Sequence, residues 1–169
     1  MIPVVALGAA LAAVGIIWKS RMTEPPSTLR DPSLARDAVV RAAAAEVGSS
    51  DRARYVVPEL GRDEPVSWCR IFALWVLRQA GLAEGIRWVL GRGFEERHLT
   101  AQDPRTFTPQ PGDIAYWTRN QHGAIVESYD STTDRIVVIN GNGAGGCVTR
   151  TIHRRDSPAR YYSIERLIA

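Results

Sequence analysis

Ser67-Trp68-Cys69-Arg70-Ile71-Phe72-Ala73-Leu74-Trp75-Val76-Leu77 is the stretch on which the reading of this chain turns. Ser67 is a good helix N-cap, Phe72, Trp75, Val76 and Gln79-Ala80 continue at helical spacing, and Gly81 supplies the stop. The pattern predicts a helix with Cys69 in its first turn. There the unpaired backbone N–H groups and the positive end of the helix dipole favour thiolate over thiol. A buried structural cysteine gains nothing from that position, so Cys69 is a candidate nucleophile.

Upstream, Ser33 or Asp31 can cap a helix running from Leu34 through the alanine run to Val47, ended by Gly48. A polar loop holding Asp51, Tyr55, Pro58 and Gly61 is expected between the two helices. Downstream of Gly81, Gly85, Gly91 and Gly93 break the chain into short helical turns as far as Thr108. The period then changes from helical to strand-like. Pro109-Gln110-Pro111-Gly112 is a turn, and strands are predicted at 113–117, 122–129, 135–140, 147–152 and 161–164. Helices first and consecutive antiparallel strands afterwards imply an α+β domain, its sheet a meander.

The first 18 residues, Met1 to Trp18, carry no charged side chain. A membrane-spanning helix needs roughly 17 to 25 apolar residues, and Trp18 followed by Lys19 and Arg21 reads as an interfacial boundary. A cleaved signal peptide would show a basic n-region, which is missing here. The expected organisation is an anchor at 1–19, a linker at 20–33 containing Pro25-Pro26 and Asp31-Pro32, and a domain at 34–169. Lys19 and Arg21 would hold that domain on the interior side, although two basic residues settle little and the face of the membrane stays open.

The 169 residues, 45% hydrophobic and 23% charged, suit one globular domain behind this segment. Net charge is +3, with Lys19 the only lysine. Arg150, Arg154, Arg155, Arg160 and Arg166 are offset in part by Asp156 and Glu165, which reads as a solvated, partly paired face. No nucleic-acid partner is expected. Cys69 and Cys147 could form one disulfide, but a nucleophilic Cys69 must stay free. No spaced Asp-x-Asp ligation accompanies Asp63 and Glu64, so neither metal nor cofactor is expected.

Amide hydrolysis by a thiolate needs an imidazole to pair with it and later protonate the leaving amine, and a polar group to orient that imidazole. His122 opens one predicted strand and Asn140 ends its hairpin partner, so Asn140 or Asn142 can reach the His122 ring. Alternation puts His122, Ala124 and Val126 on one face, where small Ala124 is expected to leave room for the cysteine helix. His98 and His153 lack a companion motif and read as surface residues.

Four blocks in order, Ser67 to Val76, Pro111-Gly112-Asp113-Ile114-Ala115-Tyr116-Trp117, His122 to Glu127, and Ile139-Asn140-Gly141-Asn142, resemble CHAP domains. These are cysteine, histidine-dependent amidohydrolase/peptidases, papain-like relatives of the NlpC-type cell-wall peptidases. The resemblance implies a papain-like fold and hydrolysis of peptidoglycan amides, with Cys69 as nucleophile, His122 as base and Asn140 as orienting residue. Where the family commonly has a glutamate two residues before an asparagine, this chain has Asn140 before Asn142. The resemblance also implies support from Asn142 and an oxyanion role for Tyr55, since upstream tyrosines hold such a place in related peptidases; the Cys69 backbone N–H is the first expected donor. The expected function is a membrane-anchored cell-wall hydrolase of a bacterial envelope or a phage, with peptidoglycan as substrate and envelope or virion proteins as further partners. A non-enzymatic membrane or virion component of the same fold, and a cysteine protease acting on proteins, are the competing readings.

Overall fold

The computed structural model describes residues 31–89 and 92–169. The expected membrane anchor, and the linker up to residue 30, lie outside the described residues. Among the described residues no helix is long and apolar enough to cross a membrane.

Helix α1 (Pro32–Ala44) is capped by the Asp31 carboxylate, which accepts from the Ser33 N–H, and proline occupies its first position, where no N–H is needed. Helix α2 (Arg52–Leu60) stands where a loop is expected. The Asp51 side chain caps it, Gly61 closes it in the left-handed conformation, and Pro58 sits in its last turns. A breaker so close to the end leaves the residues from Arg52 to Val57 free to form the helix before it.

Helix α3 (Cys69–Gln79) is the centre of the fold. Every residue from Cys69 to Leu77 is buried, because α1, α2 and the sheet pack around it. A helix apolar on nearly all sides must be enclosed in this way. Its N-cap is Trp68 with no side-chain hydrogen bond, so the expected Ser67 cap is absent. The Ser67 hydroxyl instead lies 3.6 Å from the Cys69 sulfur.

A short helix α4 (Glu95–His98) leads into β1 (Thr100–Gln102), and β2 (Ile114–Trp117), β3 (His122–Asp130), β4 (Arg135–Asn140), β5 (Thr149–Arg154) and β6 (Arg160–Ser163) follow before helix α5 (Glu165–Ile168). The sheet is antiparallel in the order β1-β6-β2-β3-β4-β5. It is therefore α+β, with one correction to the meander: β6 returns to pair with β2 on one side and β1 on the other. β1 falls within the glycine-broken segment and becomes a strand only because β6 supplies its partner.

Period-two alternation divides the sheet into two faces. Ile114, Tyr116, Ile125, Ile139 and Tyr162 join the core of the helices. Ala115, Ala124, Val126, Ile136, Val138 and Tyr161 form a second cluster. Ala124 thus belongs to the cluster away from α3, and it is not what lets the helix approach. Glycines do that. A Cβ at Gly141 would lie 2.4 Å from the Phe72 Cβ, and one at Gly123 would lie 3.1 Å from the Arg70 Cγ.

Pro111-Gly112-Asp113 ties the two halves together. Fully buried Asp113 accepts from Arg36 of α1 at 2.8 Å, from the Gln110 N–H at 2.9 Å and from the Ile164 N–H at 3.3 Å. Its role is architectural, since every contact joins chain segments to one another.

Candidate active site

Cys69 is 2% exposed at the first position of α3. His122, by strand parity, shares a sheet face with Ala124 and Val126, yet it is the first residue of β3, so the thiol meets its ring past the end of the strand. Gln121, with φ of 48°, turns the chain there and brings its carbonyl 3.9 Å from the Cys69 sulfur.

Burial pushes the Cys69 thiol up, but the hydrogen bond and charge of His122, the Gly123 N–H and the Ser67 hydroxyl together hold it below its ordinary value. Burial likewise pulls the His122 imidazole down, while Cys69, by hydrogen bond and charge, and Asn140, by hydrogen bond, leave it above its ordinary value. Each partner moves towards its charged form. The arrangement favours a thiolate beside an imidazolium, stabilised further by the N-terminal end of α3.

The Nε2–H of His122 donates to Asn140 Oδ1 at 2.8 Å. Asn140, 4% exposed, donates through Nδ2 to the Thr149 carbonyl at 3.3 Å and to Thr151 Oγ1 at 2.7 Å. Of the two asparagines left open by the sequence, Asn140 is the one on the ring. Asn142, at φ 54°, donates instead to Ser67 Oγ at 3.4 Å, so it supports the hydroxyl that faces the thiol.

Tyr55 is placed elsewhere. It is fully buried, its ring stacks on Trp68 with centroids 5.1 Å apart, and its hydroxyl donates to Glu46 Oε2 at 2.8 Å. Burial, together with Glu46, pushes that phenol up to about 12. A hydroxyl engaged by a buried carboxylate inside the aromatic core is not presented to a substrate oxyanion. Tyr55 instead shapes the floor under Trp68.

Several participants were not singled out in the sequence. Arg70, directly after the cysteine, is buried and makes a bidentate pair with fully buried Glu95, at 2.7 Å and 2.5 Å, while lying over Trp88 and Tyr116. Nothing in the spacing announces Glu95. Gly93 is required beside the pair, because a Cβ there would lie 1.8 Å from Arg70 Nη2. On the other side, Trp117 lies 5.7 Å from the His122 ring and 5.0 Å from the ring of His153. His153 is half-buried, not simply a surface residue. The alternation Thr149, Thr151, His153 on β5, in register with Asn140, Val138 and Ile136, is the signal that could have found it.

Two clefts flank the pair. One, of about 350 Å³, is lined by Ser67, Cys69, Arg70, Trp88 and Gly93; the other, of about 540 Å³, by Trp117, His122, Asn140, Thr151 and His153. Arg119 and Asn120 line both. The two cysteines are free, and among the described residues no cluster of three or more potential metal ligands occurs.

The fold resembles the crystal structure of Ly7917 (TM-score 0.48, 19% identity, 76% of this chain and 61% of that one) and that of Ly7917 with the hydrolyzing product of MDP (TM-score 0.49, 18% identity, 76% and 62%). The chain thus spans about three fifths of the length of those structures. No curated protein matches the chain. Residues 61–142, the segment that holds Cys69, His122 and Asn140, match the family model of the CHAP domain.

Proposed function

We propose that the chain is a cysteine-dependent peptidoglycan amidohydrolase or peptidase, with Cys69 as nucleophile, His122 as general base and acid, and Asn140 as the orienting residue. The observation that carries this reading is the junction of Cys69, His122 and Asn140 within the segment that matches the CHAP domain, the thiol held below its ordinary pKa and lining one cleft while His122 and Asn140 line the other.

The Cys69 thiolate attacks the amide carbonyl carbon, and the charge that develops on the oxygen is met by the Cys69 backbone N–H in the first turn of α3. The His122 imidazolium gives its proton to the leaving nitrogen as the C–N bond breaks. An acyl-thioester remains. Water, its proton taken by the now neutral His122, attacks the thioester and releases the acid together with the thiolate. Asn140, by accepting from Nε2–H, keeps the other ring nitrogen turned towards sulfur throughout.

Residues 1–19 as a membrane anchor, and a linker from residue 20 that ends at the Asp31 cap of α1 rather than at residue 33, complete the proposal: a tether raises the effective concentration of the domain at the wall. The setting is a bacterial envelope or a phage. A purely structural component would have no need of an ionised thiol paired with an oriented histidine, which favours the enzymatic reading. The test is mass spectrometry of muropeptides released from purified sacculi by the full chain and by Cys69→Ala, with casein digested in parallel. New muropeptide ends from the wild type alone are expected. Release by Cys69→Ala, or cleavage of casein but not of sacculi, would overturn the reading.

A further inference from the structure

The polar contacts of Asn140 do not stop at His122. The Thr149 carbonyl can only accept, so the Asn140 nitrogen must face it and the Asn140 oxygen must face His122. The Asn140 nitrogen also donates to Thr151 Oγ1, which leaves the threonine its own proton to give to His153 Nε2, 2.9 Å away. All the donors in this chain then point one way, from His122 to Asn140 and from Thr151 to His153. It requires His153 to be neutral, with its proton on Nδ1.

Resting on the proposed roles of Cys69, His122 and Asn140, we propose that Thr151 is a positioning residue, whose hydroxyl, directed by neutral His153, holds the Asn140 amide with its oxygen on the His122 ring. Without that hydroxyl only the longer bond to the Thr149 carbonyl holds the amide nitrogen. The amide can then rotate, and in the rotated form its NH₂ faces the His122 N–H, donor against donor. Burial and the nearby charge of His122 both hold the His153 imidazole below its ordinary value, in keeping with its place as acceptor. Trp117, between the two rings, keeps both in place. Thr151 is exposed on the sheet face, so water can partly replace its hydroxyl, and the effect of losing it is several-fold rather than thousand-fold.

The experiment uses the full chain carrying Cys147→Ser, so that Cys69 is the only thiol, and compares Thr151→Val, Thr151→Ser and His153→Phe. The pH dependence of Cys69 alkylation by iodoacetamide reports the thiolate–imidazolium pair without any substrate, and turnover on sacculi is split into kcat and KM. For Thr151→Val the limb belonging to His122 is expected to move to lower pH, and kcat to fall about 3- to 10-fold with KM nearly unchanged. Thr151→Ser should restore both, and His153→Phe should move the limb the same way by less. An unmoved limb in Thr151→Val, or Thr151→Ser as impaired as the valine variant, would overturn the proposal. An alkylation profile of the parent that lacks a thiolate plateau at mildly acidic pH would sink the Cys69–His122 pairing instead, and the two failures are read separately.

Discussion

The two sides of the Cys69–His122 pair are built from opposite materials. On the helix side, the cysteine is carried by a helix buried along almost its whole length, with Arg70 and Glu95 locked against Trp88 and Tyr116. On the sheet side, His122, Asn140, Thr151 and His153 form a hydrogen-bonded row along a face that opens to a cleft. The first side fixes where the sulfur is; the second sets the protonation and direction of the imidazole. Damage to the helix side should therefore appear as lost folding, and damage to the sheet side as altered chemistry in a folded protein.

The largest effect expected on this division is that of His122→Ala. It leaves the core untouched, since the ring lies at the end of β3, and removes both proton carrier and counter-charge. Turnover should fall by about three orders of magnitude or more, with the thermal midpoint close to wild type. Alkylation of Cys69 at pH 6 should slow as well, because the thiol loses the group that holds its pKa down. A large drop in thermal midpoint would break the comparison by making His122 part of the core.

Glu95→Ala is the converse. It leaves the Arg70 guanidinium buried without its bidentate partner, a change that typically costs about 3–5 kcal/mol. Chemical denaturation should show that loss, and activity should follow the folded fraction. Gly141→Ala acts on the same side more weakly: its methyl would meet Phe72 and Trp68, forcing strand and helix apart at about 1–3 kcal/mol. A Gly141→Ala protein of wild-type stability would mean that the helix does not press on the sheet as closely as described.

The same division explains what could be read from the sequence. Cys69 at a helix start, the β3–β4 hairpin and the pairing of His122 with Asn140 follow from local periodicity and from a short loop that fixes register, and β4 falls at 135–140 as expected. What escaped depends on contacts distant in sequence. Helix α2 was hidden by Pro58 and Gly61, each a breaker by itself but here the last turn and the cap. The strand at Thr100–Gln102 exists only through β6. Arg70 gave no sign of Glu95, which lies 25 residues on. Tyr55 was placed by a likeness of position, and the buried Glu46 carboxylate decides otherwise.

The smallest expected effect concerns charge at the orienting position. A glutamate at 140 would have to fit its longer chain into a site with 4% exposure, and one of its oxygens would face the Thr149 carbonyl, acceptor against acceptor. Asn140→Asp keeps the shape and tests the charge alone. A carboxylate on Nε2–H favours imidazolium, so the His122 pKa, already raised, should rise further and the basic limb of the activity profile should move to higher pH. The sign follows from the proton lost: activity on that limb ends when the imidazolium deprotonates, and an anionic neighbour delays it. Repulsion from the Thr149 carbonyl should meanwhile lower stability by about 1–3 kcal/mol, partly relieved because Thr151 can turn its hydroxyl to donate to the aspartate. That turn withdraws the proton from His153, so the aspartate variant should depend less on His153 than the parent does. A basic limb that stays in place or falls would mean that Asn140 orients His122 without sharing its electrostatics, and would sharpen the sheet side into a matter of geometry alone.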